Sequence, residues 1–226
     1  MIDIIVKNGI QPAHSFDLWG PIVDAAKLGQ KKIELYRQLA ADQKIDPETV
    51  EKVIADYQGL LEGQHWATGE RKGEIIDALQ GPVKQAGLDV SYNGTFQEDG
   101  LYVMQEILDA GEGVIVFSSK PAPWLKENLP REISDRVGDV YADKKTDPEA
   151  FRRVFDSESR RNRRVISHTA DELPELEAAV KSELFVKQGL IYVNRNDSNP
   201  PEAVHSKGIG VYVNDLRDVG YTKFVA

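Results

Sequence analysis

The chain has 226 residues, enough for one or two domains with a proper core. Its net charge is −9, which argues against general electrostatic attraction to nucleic acid or to an anionic membrane, and it has no cysteine, which excludes disulfides, thiolate metal sites and cysteine nucleophiles. No apolar run approaches the ~20 residues of a membrane span, and the start Met1-Ile2-Asp3-Ile4-Ile5-Val6 carries an early acid without a basic leader, so a cytoplasmic protein is expected.

Ile2 to Val6 reads as a short strand stopped by Asn8-Gly9. Pro12 separates it from a second strand, Ala13 to Asp17. A Gly-Pro break follows at Gly20-Pro21. From Ile22 to about Ala41 the apolar residues Ile22, Ala25, Ala26, Ile33, Tyr36 and Leu39 recur at helical spacing. Asp46-Pro47-Glu48-Thr49 is a helix start, with aspartate as N-cap and proline in the first turn. Another helical segment, Glu74 to Leu79, precedes Gly81-Pro82. Residues 24–90 are therefore mostly helical, far more than one crossover between strands requires, and read as an insertion.

Beyond Gly100 strands and helices alternate. Leu101 to Leu108 is helical, and Gly113-Val114-Ile115-Val116-Phe117 is a continuous apolar run expected of a strand buried on both faces. Val137 to Tyr141 is a weaker strand, Thr146-Asp147-Pro148-Glu149 starts a helix, and Arg164 to Ser167 is a strand. A helix from about Pro174 and the strands Leu190–Val193 and Gly210–Val213 complete the order. Repeated βα units predict an α/β fold: a mainly parallel, Rossmann-like sheet with helices on both faces and an inserted α-helical unit.

In such a sheet the residues just past the strand ends converge on one edge. Here they are Asp17, Ser118, and His168 or Asp171, with Lys145 before a helix start. Asp17 is open to two readings, a reactive group at a strand end or a helix-capping residue. A carboxylate that can attack, a hydroxyl and an ammonium that can hold phosphate oxygens, and two acids that can hold Mg²⁺ together suit phosphoryl transfer.

These residues, in this order, resemble the haloacid dehalogenase (HAD) superfamily over residues 13–220. Phe16-Asp17-Leu18-Trp19-Gly20 resembles its first motif, with Asp17 as nucleophile. Val116-Phe117-Ser118-Ser119-Lys120-Pro121 resembles the second, with Ser118 and Ser119 at the phosphate. Lys145-Thr146-Asp147-Pro148-Glu149 resembles the third, with Lys145 as its lysine, and the acids before Leu176-Glu177-Ala178-Ala179 resemble the fourth. The resemblance implies a HAD core from residues 1–23 and 91–226 with a helical cap at 24–90. It also implies a Mg²⁺ ion held by Asp17, the Trp19 carbonyl and Asp171, and a small phosphorylated substrate.

Three positions depart from the family pattern. Trp19 stands where phosphatases of the family carry a second aspartate that protonates the leaving group; an indole has one N–H donor and no acid function. Haloacid dehalogenases carry an aromatic residue there. Pro21 replaces a threonine that braces the nucleophile turn. The fourth motif fits two registers, His168 with Glu172 or Asp171 with Glu175, and Pro174 in a first helical turn favours the second. Besides Mg²⁺-dependent phosphate hydrolysis, the motifs leave open a metal-free dehalogenase and a degenerate relative that binds without turnover. Among other residues, His14 reads as a packing residue, His65-Trp66 as a buried pair in the insertion, and the basic cluster Arg160 to Arg164 as a solvated turn.

Overall fold

In a computed structural model the placement is described for residues 9–61, 70–88, 90, 92, 94–118, 127–137, 140–141, 144–195 and 199–221. The expected strand Ile2–Val6, the pair His65-Trp66 and Ser119 lie outside the described residues.

Six strands form one sheet in which every pairing is parallel: β1 (Gln11–Asp17), β2 (Gly113–Phe117), β3 (Val140–Tyr141), β4 (Arg163–Ala170), β5 (Leu190–Val193) and β6 (Val211–Val213), in the spatial order β3-β2-β1-β4-β5-β6. β2 and β3 build outward from β1 on one side, and β4, β5 and β6 on the other. The strand order therefore reverses between β1 and β4, where an open α/β sheet leaves a crevice. Register places Asp17 opposite Phe117 of β2, and Phe16 opposite Thr169 of β4.

β1 is the innermost strand, and every residue from Pro12 to Asp17 is buried. Its polar residues must then find partners inside the protein. They find them on β4, which runs to Ala170, three residues beyond its expected end. The extension is polar in sequence but satisfied in space: Ser167 bonds His14 at 2.8 Å, His168 bonds Ser15 at 3.1 Å, and Thr169 bonds Tyr221 at 2.6 Å. His14 also meets Glu112 at 2.7 Å. Of the weaker strand expected at Val137–Tyr141, the described residues in strand are Val140–Tyr141.

Five described helices accompany the sheet. They are α4 (Glu98–Asp109), α5 (Arg131–Ser134), α6 (Pro148–Ser159), α7 (Leu173–Lys181) and α8 (Pro201–Ser206), numbered after the three of the inserted unit. α4 packs against β2. Phe151 and Val154 of α6 and Leu176 and Ala179 of α7 bury against Ala13, Ile115, Phe117 and Tyr192. In the basic turn after α6, Arg161 and Arg163 both pair with the fully buried Glu158, at 3.1 and 3.3 Å.

The chain divides into two compact units, Met1–Val23 with Phe96–Ala226, and Asp24–Thr95. The second unit contains α1 (Ala25–Asp42), α2 (Pro47–Leu61) and α3 (Glu70–Gln85). Asp24 caps α1 by accepting from the Lys27 N–H at 3.0 Å, and Asp46 accepts from the Thr49 N–H ahead of α2 at 3.0 Å. Ile33, Tyr36, Val50, Ile54, Tyr57, Ile75, Leu79 and Val83 form this unit's own core. α3 continues through Gly81-Pro82 rather than stopping before it. Ile75, Leu79 and Val83 are spaced four apart on one face, and burying Val83 draws the helix past a proline that would otherwise end it. Among the described residues no helix is long and apolar enough to cross a membrane.

Candidate active site

Asp17 ends β1 with 1% of its surface exposed. A carboxylate there needs compensation, and it comes from the loop before α6. Asp147 caps that helix by accepting from the Glu149 N–H at 3.1 Å, and Pro148 enters at the first helical position. The start fixed in this way places Lys145, two residues upstream, with its Nζ 2.5 Å from Asp17 Oδ1 and 2.9 Å from Glu175 Oε2. Its neighbour Lys144 is exposed. The Trp19 N–H donates to the same Asp17 Oδ1 at 3.3 Å. Asp17 Oδ2 is buried and has no hydrogen-bond partner.

Asp171 follows β4 directly, and Glu175 lies in the first turn of α7. His168 is inside the strand, fully buried, with Nε2 3.0 Å from Glu175 Oε1. Of the two registers for the last motif, the one carrying Asp171 and Glu175 thus reaches the strand end. Asp171 packs over the turn after β1. Gly20 adopts φ +79°, and a Cβ there would lie 2.1 Å from the Asp171 carboxyl carbon. Only glycine fits this position, because it accepts both the left-handed backbone and the carboxylate against it. Ser118 is fully buried one residue past β2, on the strand paired with β1, and its N–H donates to the Tyr141 carbonyl at 2.9 Å.

Three acids share this space with one ammonium. Burial pushes the Asp17 carboxyl up to about 8; the Glu175 carboxylate adds to the rise and Lys145 opposes it. Burial likewise lifts Asp171 to about 8, helped by Asp17 and Glu172. Burial raises Glu175 to about 7 against the pull of Lys145. Burial alone would lower Lys145, but Asp17 and Glu175 hold it above its ordinary value, so it stays charged. Burial drops His168 to about 3, so its ring is neutral. Ionised together, Asp17, Asp171 and Glu175 exceed Lys145 by two negative charges. A divalent cation would balance that excess, and Asp17 Oδ2, buried without a hydrogen-bond partner, is an oxygen with lone pairs to offer one. Among the described residues no three acidic or histidine side chains form a metal cage.

Arg195 is a residue the motif reading passed over. Two residues beyond β5, its Nε donates to the Gly20 carbonyl at 3.2 Å and its Nη2 to the Pro21 carbonyl at 3.3 Å. Nη2 also donates to Asp99 Oδ1 at 3.0 Å, and Asp99 Oδ2 accepts from the Leu216 N–H at 2.8 Å. The turn at Pro21 is closed locally, the Gly20 N–H donating to the Val23 carbonyl at 3.0 Å and the Val23 N–H to the Leu18 carbonyl at 2.8 Å, and Arg195 grips it from beyond β5. Gly100 lets α4 approach the same turn, since a Cβ there would lie 2.3 Å from the Pro21 carbonyl oxygen. Its position just past a strand end was the available signal for Arg195.

The fold is shared with solved structures of low sequence identity. One is a HAD phosphatase from Thermococcus onnurineus, 14% identical with a TM-score of 0.59, the match covering 94% of this chain and 97% of that one. A second is YfnB from Bacillus subtilis, described as a HAD-hydrolase and bound to magnesium, at 15% identity and TM-score 0.58 over 94% and 98% of the two chains. A third is an L-2-haloacid dehalogenase, at 16% identity and TM-score 0.56 over 96% and 98%. No protein-family model and no curated protein sequence matches the chain.

Proposed function

We propose that this chain is a HAD-type hydrolase, a Mg²⁺-dependent phosphatase of a small phosphorylated metabolite that works through an aspartyl-phosphate on Asp17. The observation that carries the reading is the divided Asp17 carboxylate. Oδ1 is held by Lys145 and the Trp19 N–H, while buried Oδ2 has no partner. Asp17, Asp171 and the Trp19 carbonyl would hold Mg²⁺, which neutralises charge on the phosphoryl group when bound.

A carboxylate oxygen of Asp17 forms a bond to phosphorus as the bond to the leaving oxygen breaks, and the leaving group departs with the bonding pair. Lys145 and Ser118, with Ser119 beside it, hold the phosphoryl oxygens. Water then attacks phosphorus, returning Asp17 and releasing inorganic phosphate. Trp19 delivers no proton to the leaving oxygen, a loss of about 10²–10⁴-fold for an alkoxide. Acyl phosphates, which leave unprotonated, are therefore better substrates than alkyl phosphates. The helical unit takes the place of the family's cap, and the enzyme is cytoplasmic, with neither nucleic acid nor membrane as partner.

The test is phosphate release from acetyl phosphate and p-nitrophenyl phosphate, with Mg²⁺ and with EDTA, by the wild type and Asp17→Asn. The expected result is Mg²⁺-dependent release, faster for acetyl phosphate, and reduced at least roughly a thousandfold in the variant. Release that survives Asp17→Asn overturns the reading. So does chloride release from 2-chloropropionate in EDTA, or thermal stabilisation by phosphate compounds without turnover.

A further inference from the structure

We infer that Ser15 and His168 are positioning residues, a buried strut that holds Glu175 on Lys145 and thereby sets where the lysine stands beside Asp17. Ser15 lies two residues before Asp17 and so shares its face of β1. His168 is its register partner on β4. Ser15 Oγ is 3.1 Å from His168 Nδ1, His168 Nε2 is 3.0 Å from Glu175 Oε1, Glu175 Oε2 is 2.9 Å from Lys145 Nζ, and Nζ is 2.5 Å from Asp17 Oδ1.

Donor and acceptor capacity sets the direction of each link. An ionised Glu175 only accepts, so Nε2 of the neutral ring carries the hydrogen. Nδ1 is then a lone pair, and the Ser15 hydroxyl must donate to it. Ser15 thus supplies the donor that satisfies Nδ1 in the tautomer holding Glu175. The ring itself is fixed among Phe151, Phe117 and Phe185, with centroids 4.9, 6.0 and 6.1 Å away. Ser15, His168 and Glu175 are all buried, so the chain has no exit to water at its Ser15 end. That fits a fixed support and does not fit a proton wire.

The opposing possibility is that His168 only fills space, and His168→Phe separates the two, since it keeps a ring in the cage and removes both hydrogen bonds. The kinetic arm rests on the phosphatase reading and uses acetyl phosphate with Mg²⁺. We expect His168→Phe to lower kcat roughly 10- to 100-fold with a smaller change in KM. His168→Gln, whose amide can still donate to Glu175, should recover most of that loss and guards against a variant that does not fold. Glu175→Gln should cost about as much as His168→Phe, and the double variant little more than either alone. A lower melting temperature with unchanged kcat, or additive losses, overturns the proposal.

A second arm needs no turnover. Long-range ¹⁵N–¹H correlation at pH 8.5 should show His168 neutral with its hydrogen on Nε2, and Ser15→Ala should shift the Nδ1 resonance, whose hydrogen bond is lost. An Nδ1–H tautomer in the wild type, or no response to Ser15→Ala, overturns the strut even if the protein proves to have another activity. An inactive wild type with the expected tautomer overturns the phosphatase reading and leaves the strut standing.

Discussion

Asp17, Asp171 and Glu175 stand at about 8, 8 and 7 where the ordinary values are 3.8, 3.8 and 4.5. The folded, metal-free protein therefore binds protons at these groups more tightly than the unfolded chain does. Their contribution to stability is fully present below the unfolded values and is lost as pH rises through 7 and 8. In EDTA the melting temperature should fall as pH is raised from 6 to 8.5. Saturating Mg²⁺ should flatten that slope, because the cation replaces the protons. A melting temperature that is level in EDTA and indifferent to Mg²⁺ would contradict the charge excess. At this scale the sequence was legible wherever a residue sits at a strand end or a helix start: Asp17, Lys145 and Asp171 follow from local signals. Ser15 and His168 do not. They lie 153 positions apart, and only the register of β1 on β4 makes them neighbours.

Helices and strands were read well where one period runs unbroken and poorly where packing overrides it. The polar pair His168-Thr169 reads in sequence as following the strand Arg164–Ser167, whereas β4 continues through it to Ala170 because both side chains have a buried partner from another element. α3 was stopped at Gly81-Pro82 because propensity disfavours both residues inside a helix. The structure keeps it helical to bury Val83 beside Leu79. That override has a measurable cost. Pro82→Ala restores a helical N–H and removes a ring from the helix interior, but also loosens the unfolded chain. The net expectation is a gain of about 1–2 kcal/mol, visible as a higher urea midpoint with an unchanged slope. A loss of stability would mean that the proline is an intended feature of this helix.

Across the whole molecule, the change from helical spacing to strand–helix alternation announced an α/β protein with an insertion, and the parallel six-stranded order matches that plan. The grip of Arg195 on Gly20, 175 positions away, could not be anticipated, because the final strands must be docked before those groups meet. Where the chain leaves and re-enters the sheet-bearing unit, Val23 pairs antiparallel with Phe96. A two-residue Asn-Gly turn joining them should therefore replace residues 24–95 without unfolding the remainder. Circular dichroism should show mixed α/β signal and a single cooperative melt. A featureless spectrum would mean that the sheet needs the helical unit.

The central position of β1 also bears on synthesis. This strand is made before both of its neighbours, which start at Gly113 and Arg163, and the guanidinium that secures its following turn comes at Arg195. A nascent or prematurely terminated product that stops before β4 holds Asp17 without Glu175, Asp171 or Arg195. Such a fragment cannot assemble the charge cluster, so the surroundings of Asp17 stay incomplete until Asp171, Glu175 and Arg195 have been made.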